Sequence, residues 1–313
     1  MQIIRYNEEI KVTEKKLSVA MGNFDGLHLG HRSVIELAKP INPLSKFGVL
    51  TFEPHPREFF SPKQESFRLM TQDAKQMTLE KLGLDVLLEV PFTREMSELE
   101  PSVFIKKVLL EYFKLEHVVI GEDFKFGYQR KGDARLLKIL GNSFGIKVTI
   151  APLIKSNKIE ISSTAIREAL KNGDPRKASK MLGDWYSIVG TVIEGDKRGR
   201  NLGYPTINLG LSGLHLPKFG VYSAIVKILT GSHKGSYSSV VSIGERPTYG
   251  TNHPNLEAHL FNFSDDIYGE KIAVSLISFQ RPEIAFKSSA ELILQMNADS
   301  AIAQEVIQKL ELL

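Results

Sequence analysis

His28 and His31 stand three positions apart with Gly30 between them, in the stretch Gly22-Asn23-Phe24-Asp25-Gly26-Leu27-His28-Leu29-Gly30-His31. Two imidazoles at that spacing around a helix start can point at one phosphate. Gly22, Gly26 and Gly30 permit tight turning and let a ligand lie against the backbone. Ahead of the stretch Leu17, Val19 and Met21 alternate as in a strand, and behind it Val34, Ile35, Leu37 and Ala38 recur at helical spacing. A strand-to-helix turn leaves backbone N–H groups free at the positive end of a helix dipole, which attracts anions. Phosphate chemistry is the expectation here.

Ile161-Ser162-Ser163-Thr164-Ala165-Ile166-Arg167 offers a second helix start, with Ser163 read as the N-cap. Ile166, Ala169 and Leu170 then make its buried face and Gly173 its stop. Arg167 on that start could meet further phosphate oxygens. Gly195, Lys197, Gly199 and Arg200 share one loop, whose amides and cations suit a nucleotide polyphosphate. Thr206 and Asn208 follow, two apart on an extended segment, with oxygens on one side that suit Mg²⁺ bridged to phosphates. Glu257 sits on an alternating strand between Leu256 and Ala258; turned inward it would serve as a general base, turned outward it would be solvated. Phe52, His55, Phe124 and Phe126 lie just after expected strands, where they either stack on something flat or cap the core.

The elements that must position these groups divide in two styles. Up to about residue 183, strand patterns at 47–52, 86–90, 117–120 and 148–150 alternate with helical patterns around 71–82, 102–114 and 133–143. Such alternation predicts a parallel, doubly wound sheet with ligands at the strand C-terminal ends. Asp174-Pro175 starts one more helix, Asp as N-cap and Pro at its first position. From Trp185 onward strands follow one another, around 186–194, 220–229, 237–243, 256–263 and 271–279, as in a small closed barrel. A final helix from about Ser289 to Leu310 would pack Ile293, Met296, Ile302, Val306 and Leu310 on that barrel. The expected domains are 1–183 and 184–313.

The 313 residues contain no cysteine, which excludes disulfides, thiol catalysis and cysteine-held metals. No apolar run has signal-peptide or membrane-spanning length, so a cytoplasmic location is expected. A formal charge of +4, with both signs mixed along the chain, suits small anionic substrates better than nucleic acid.

The first motif resembles the His-x-Gly-His signature of the nucleotidylyltransferase superfamily. The whole run, GNFDGLHLGH, TFEPHPRE, GEDFKFG, ISSTAIR, GDKRGRNLGYPTINL, GVY, GERPTYG, LEAHLFNF and YG, resembles the bifunctional bacterial riboflavin kinase/FAD synthetase family over nearly its full length. The resemblance implies an α/β plus β architecture. A Rossmann-like nucleotidylyltransferase domain would precede a six-stranded Greek-key β-barrel with a terminal helix.

It further implies that His28, His31 and Arg167 serve FMN adenylylation and that Glu257 deprotonates riboflavin. Gly22, Asn23, Phe24, Gly30, Ser163, Thr164, Gly195, Lys197, Gly199 and Arg200 would bind ATP. Phe52, Pro54, His55, Asp123, Phe124, Phe126 and Arg281 would bind flavin, and Thr206 and Asn208 would hold Mg²⁺. The partners implied are riboflavin, FMN, FAD and ATP, with no nucleic acid and no membrane, in a monomer or weak homo-oligomer. The alternatives are a flavin-binding regulatory protein and a single-activity homologue. A small aminoacyl-tRNA-synthetase-like protein shares His-x-Gly-His, but the chain has Ile-Ser-Ser-Thr-Ala-Ile-Arg where that class needs a Lys-Met-Ser-Lys-Ser-type loop.

Overall fold

The structure, a computed structural model, describes residues 1–6, 16–61, 66–152, 155–156, 159–195, 199, 202–245 and 254–311. It comprises two compact units. One holds Met1–Gln64 and Lys75–Ile161, the other Glu65–Ala74 and Ser162–Leu313. The helices Ser163–Lys171 and Pro175–Leu182 therefore group with the barrel.

The first unit is built on six parallel strands in the order Gln2–Arg5, Val86–Pro91, Lys46–Glu53, Leu17–Met21, Leu115–Gly121, Lys147–Ala151. The chain leaves Leu17–Met21 toward one side and later returns to its other side through Leu115–Gly121. The order thus reverses between these two strands, which is where a doubly wound sheet opens a crevice at its C-terminal edge. Residues 22–31 and 121–124 both emerge there. The central strands are buried on both faces and read as near-continuous apolar runs, Leu17–Met21 being buried at every position. Gln2–Arg5, an edge strand exposed at three of its four residues, was not expected from the sequence. The helix expected over 102–114 begins at Pro101 and widens over Ile105–Tyr112 into a π-helix.

The second unit carries an antiparallel sheet in the order Ser187–Thr191, Lys271–Arg281, Gly220–Ile228, Gly235–Glu245, Pro254–Leu260, Ile207–Gly210. Its first and last strands meet through the Ile193 N–H donating to Asn208 O at 2.9 Å, which nearly closes a barrel. Val226, Val241, Leu256, Ala258, Val274 and Leu276 fill the interior. Ile207–Gly210 completes the six strands, although its Pro-Thr-x-Asn entrance reads more readily as a turn.

Ser289–Glu311 is the terminal helix, and Ile293, Met296, Val306 and Leu310 of the expected stripe are partly buried. Ala303 and Ile307 are buried, whereas Ile302 is 45% exposed. Ala303 rather than Ile302 therefore lies on the covered side of the helix.

Candidate active sites

Residues 22–31 form the expected turn, and it is a strained one. Phe24 and Leu27 have φ of +50° and +44°, left-handed values that cost free energy outside glycine. Both are fully buried, so packing holds them there. Of the three glycines, Gly26 (φ +87°) needs the left-handed region. Gly22 and Gly30 instead make room, since a Cβ would lie 3.1 Å from the Phe24 ring and 3.2 Å from the His28 ring respectively.

His28 is the N-cap of the helix Leu29–Glu36; its Nδ1 accepts the His31 N–H at 3.2 Å. A neutral His28 with Nδ1 accepting carries its proton on Nε2 and is a donor there. The His28 and His31 rings stack with centroids 3.6 Å apart and planes 16° apart, and Phe24 meets His31 edge-on at 5.3 Å. Packing around the His31 ring, then His28, then Lys75 hold its pKa well below the usual 6.5. His31 is therefore neutral at physiological pH and offers a hydrogen bond rather than a charge. Its Nδ1 is buried without a hydrogen-bond partner. The Asn23 carbonyl accepts from Lys75 Nζ at 3.0 Å and Thr51 Oγ1 at 3.3 Å.

The residues read as the flavin side separate by burial. Phe52 (8% exposed) and Phe126 (6%) belong to the core, committed to Phe92 and Phe104 and to Phe104 and Phe124 respectively. Phe124 is partly exposed and lies on Phe126 at 6.0 Å and 19°. Pro54 and Asp123 are exposed. His55 caps the short helix Pro56–Phe60, its Nδ1 taking the Arg57 N–H while Glu58 reaches back to the His55 N–H.

In the second unit, the N-cap of Ser163–Lys171 is Ser162, not Ser163; the Ser162 hydroxyl accepts from the Ala165 N–H at 3.2 Å. Ser163 and Thr164 stand on the first turn, and Ile166, Ala169 and Leu170 are buried. Arg167 Nε donates to the Phe67 carbonyl at 2.6 Å and its guanidinium lies 5.2 Å from the Phe67 ring centre.

The barrel carries a cavity of about 220 Å³ lined by Tyr204, Thr206, Glu257, Arg281, Phe286 and Asp299 among others. Leu256, Ala258 and Leu260 point into the barrel, so Glu257 and His259 lie on the opposite face. That face is neither core nor bare solvent: it is a wall of the cavity, roofed by Leu292 and Met296 of the terminal helix. Thr206 Oγ1 donates to Glu257 Oε2 at 3.5 Å, and Asn208 pairs directly across from Glu257 in the sheet. Asn208 is buried and accepts from Asn255 Nδ2 at 3.0 Å. A Cβ on Gly195 would lie 2.2 Å from Asn208 Nδ2, and one on Gly199 would lie 2.3 Å from Tyr204 O. The two glycines thus bring the loop backbone down onto the Thr206–Asn208 segment. Lys197 and Arg200 lie outside the described residues.

Arg281 is held by Asp299, with Nε at 2.9 Å and Nη2 at 2.6 Å from its two oxygens, and lies 6.0 Å from the Phe286 ring. Sequence reasoning missed Asp299 and Lys75. Asp299 had a signal: it falls four before Ala303 and eight before Ile307, on the buried stripe of its helix. Lys75 had none, because nothing local distinguishes it from a solvated lysine. Among the described residues no cluster of three His, Asp or Glu is arranged to hold a metal ion.

A family model described as FAD synthetase matches residues 10–165, and one described as riboflavin kinase matches residues 182–307. The chain is 37% identical over 306 residues to a protein of Haemophilus influenzae described as bifunctional riboflavin kinase/FMN adenylyltransferase, covering 97% of this chain and 98% of that one. The protein so described from Escherichia coli is 34% identical over 289 residues, covering 92% and 91%. A solved structure described as a macrolide-efflux protein from Streptococcus pneumoniae matches with a TM-score of 0.82 at 28% identity, over 97% of this chain and 99% of that one. Among the described residues no helix is long and apolar enough to cross a membrane.

Proposed function

The chain belongs to the bifunctional riboflavin kinase/FMN adenylyltransferase family, and from that premise we infer the chemistry of its two sites. It phosphorylates riboflavin to FMN with ATP and adenylylates FMN to FAD with a second ATP, releasing pyrophosphate. The observation that carries this reading is that each unit has its own phosphate-handling arrangement. One is the stacked His28–His31 pair on a strained turn, the other a cavity gathering Thr206, Glu257 and Arg281.

In the kinase reaction, Glu257 takes the proton of the terminal ribityl hydroxyl. That oxygen attacks the γ-phosphorus of ATP, and the bond to ADP breaks. The ring system of riboflavin lies in the cavity beside Phe286 and Arg281, which Asp299 keeps in place. Thr206 and Asn208 would hold Mg²⁺ together with ATP phosphates. A hydroxyl and an amide oxygen are hard donors of the kind such an ion takes alongside a nucleotide. When bound, the ion neutralises charge on the β- and γ-phosphates. Gly195 and Gly199 let the loop amides approach the same phosphates.

In the adenylylation, an FMN phosphate oxygen attacks the α-phosphorus of ATP and pyrophosphate leaves. His28 donates from Nε2, and neutral His31 assists, as charge grows on the α-phosphate. Neither step needs a covalent intermediate; positioning and charge stabilisation suffice. Phe124 is the ring we assign to the flavin, with Pro54 and Asp123 near it in role and Phe52, His55 and Phe126 acting as supports. Ser163, Thr164 and Arg167 are proposed ATP contacts on the strength of their helix start. The functional division is proposed at 1–183 and 184–313.

The test is a chromatographic time course of the purified chain with riboflavin, ATP and Mg²⁺. FMN should appear first and FAD after it. FMN without FAD would remove the adenylyltransferase reading, and flavin binding without turnover would favour a regulatory protein.

A further inference from the structure

Lys75 is only 7% exposed, an uncommon place for an ammonium group. Its Nζ donates to the Asn23 carbonyl at 3.0 Å, the oxygen that also takes the Thr51 hydroxyl. Asn23 is the residue before Phe24, whose left-handed φ sets the course of the turn. In a trans peptide the carbonyl and the following N–H point in opposite directions. A carbonyl drawn toward Lys75 and Thr51 therefore aims the Phe24 N–H the other way. Lys75 also bears electrostatically on His31, whose other ionisable influence is His28; Asp25 is buried in the same turn. An apolar side chain would fill the space beneath the turn without the desolvation cost of a cation. The charge is what an apolar residue would lack.

We propose that Lys75 is a positioning residue for adenylyl transfer: it fixes the Asn23 carbonyl, and with it the 22–26 turn, and supplies standing positive charge beside the His28–His31 pair. The ligand chemistry it serves is a nucleotide α-phosphate, so the proposal rests on the adenylyltransferase reading given above. Of the two stacked imidazoles, His31 is a donor without net charge. Lys75 adds the fixed charge that raises the potential at the pair before the phosphate arrives, as a preorganised site requires.

The experiment uses the full chain with Lys75→Met, Lys75→Gln and Lys75→Arg, following FMN-to-FAD and riboflavin-to-FMN conversion in the same preparations. Lys75→Met is expected to lower kcat for FAD formation by about 10²-fold, with FMN formation unchanged. The His31 imidazole, followed by NMR, should titrate at a higher pH than in the parent chain. Lys75→Arg, which keeps the charge, should recover at least tenfold of the loss.

Should Lys75→Met fail to fold, Lys75→Gln decides, because its amide still donates to the Asn23 carbonyl. Slow FAD formation in that variant supports the charge role. Full-rate FAD formation in either neutral variant, or an unmoved His31 titration, overturns the proposal. His31→Asn is measured alongside. If it makes FAD at full rate, the assignment of transfer to this turn fails. If it is inactive while the Lys75 variants are not, Lys75 alone is excluded.

Discussion

Arg281 and Asp299 face each other side-on, joining the last barrel strand to the terminal helix through Nε at 2.9 Å and Nη2 at 2.6 Å. Gln295 Nε2 adds a bond to the same carboxylate at 2.9 Å, and Gln280 Nε2 bonds the Asp299 carbonyl at 3.2 Å. Asp299 is buried and the Arg281 side chain is 19% exposed, so removing one partner leaves a poorly hydrated charge. Breaking such a pair typically costs about 3–5 kcal/mol. Asp299→Ala is therefore expected to lower the stability of the barrel unit by about that amount and to raise KM for riboflavin. FAD formation from supplied FMN should hold. Denaturant melts and separate assays of the two reactions check it, and unchanged KM would show that Arg281 does not help place the flavin.

Glu257 lies 3.5 Å from Thr206 on the cavity wall. Glu257→Gln keeps the shape and removes the base. FMN formation should fall by about 10²–10⁴-fold, the usual worth of a general base, while FMN-to-FAD conversion stays at the parent rate. A kinase rate within tenfold of the parent would assign the proton to another acceptor.

Gly195 approaches Asn208 so closely that a methyl group would lie 2.2 Å from its amide nitrogen. Gly195→Ala should displace Asn208 and weaken Mg²⁺-dependent ATP use by the kinase, seen as a raised KM for ATP. The melting temperature should fall as well, because the displaced Asn208 is buried. Normal ATP affinity in this variant would place the nucleotide elsewhere.

His117 is bonded on both ring nitrogens. Ser18 Oγ donates to the Ala38 carbonyl at 2.6 Å, so toward His117 Nδ1, at 2.9 Å, it accepts. Nδ1 thus carries the proton and Nε2 accepts from Thr149 Oγ1 at 2.9 Å. Burial, then Lys147, lowers the His117 pKa from 6.5. Above pH 6.5 the group is neutral folded and unfolded, and contributes no pH dependence. As pH falls below 6.5 the unfolded chain takes up the proton first, so stability declines until the folded pKa is passed. His31, lowered in the same direction, adds to the decline. Urea midpoints should fall between pH 7 and pH 5, and His117→Asn should flatten part of that slope. An identical slope in the variant would remove His117 from the account.

The short-range features of this chain were legible because local rules produce them. Gly and His at their spacing between an apolar strand and an apolar helix specify the 22–31 turn. Asp174-Pro175 starts a helix as read, and Gly183 ends it at φ +73°. Where two local solutions compete, the reading slipped: Ser162 and Ser163 are both acceptable caps, and it is the Ser162 hydroxyl that takes the Ala165 N–H. The edge strand Gln2–Arg5 has no buried face to create an alternating pattern, and Ile207–Gly210 is only four residues long.

Burial was the harder matter. Phe52 and Phe126 lie at strand ends, where a sequence pattern cannot tell a ring that stacks on a ligand from one that seals the core. Likewise Ile302 and Ala303 are neighbours, and only the barrel surface says which of them turns inward. Local pattern established two halves, most of their strands and helices, and the 22–31 turn. Three-dimensional packing decided which groups meet across long stretches of chain: Lys75 with Asn23 over 52 residues, Glu257 with Thr206 over 51, and Arg281 with Asp299 over 18. Such pairings depend on how sheet order and helix rotation bring distant side chains within about 3 Å, and no periodicity along the chain encodes that distance.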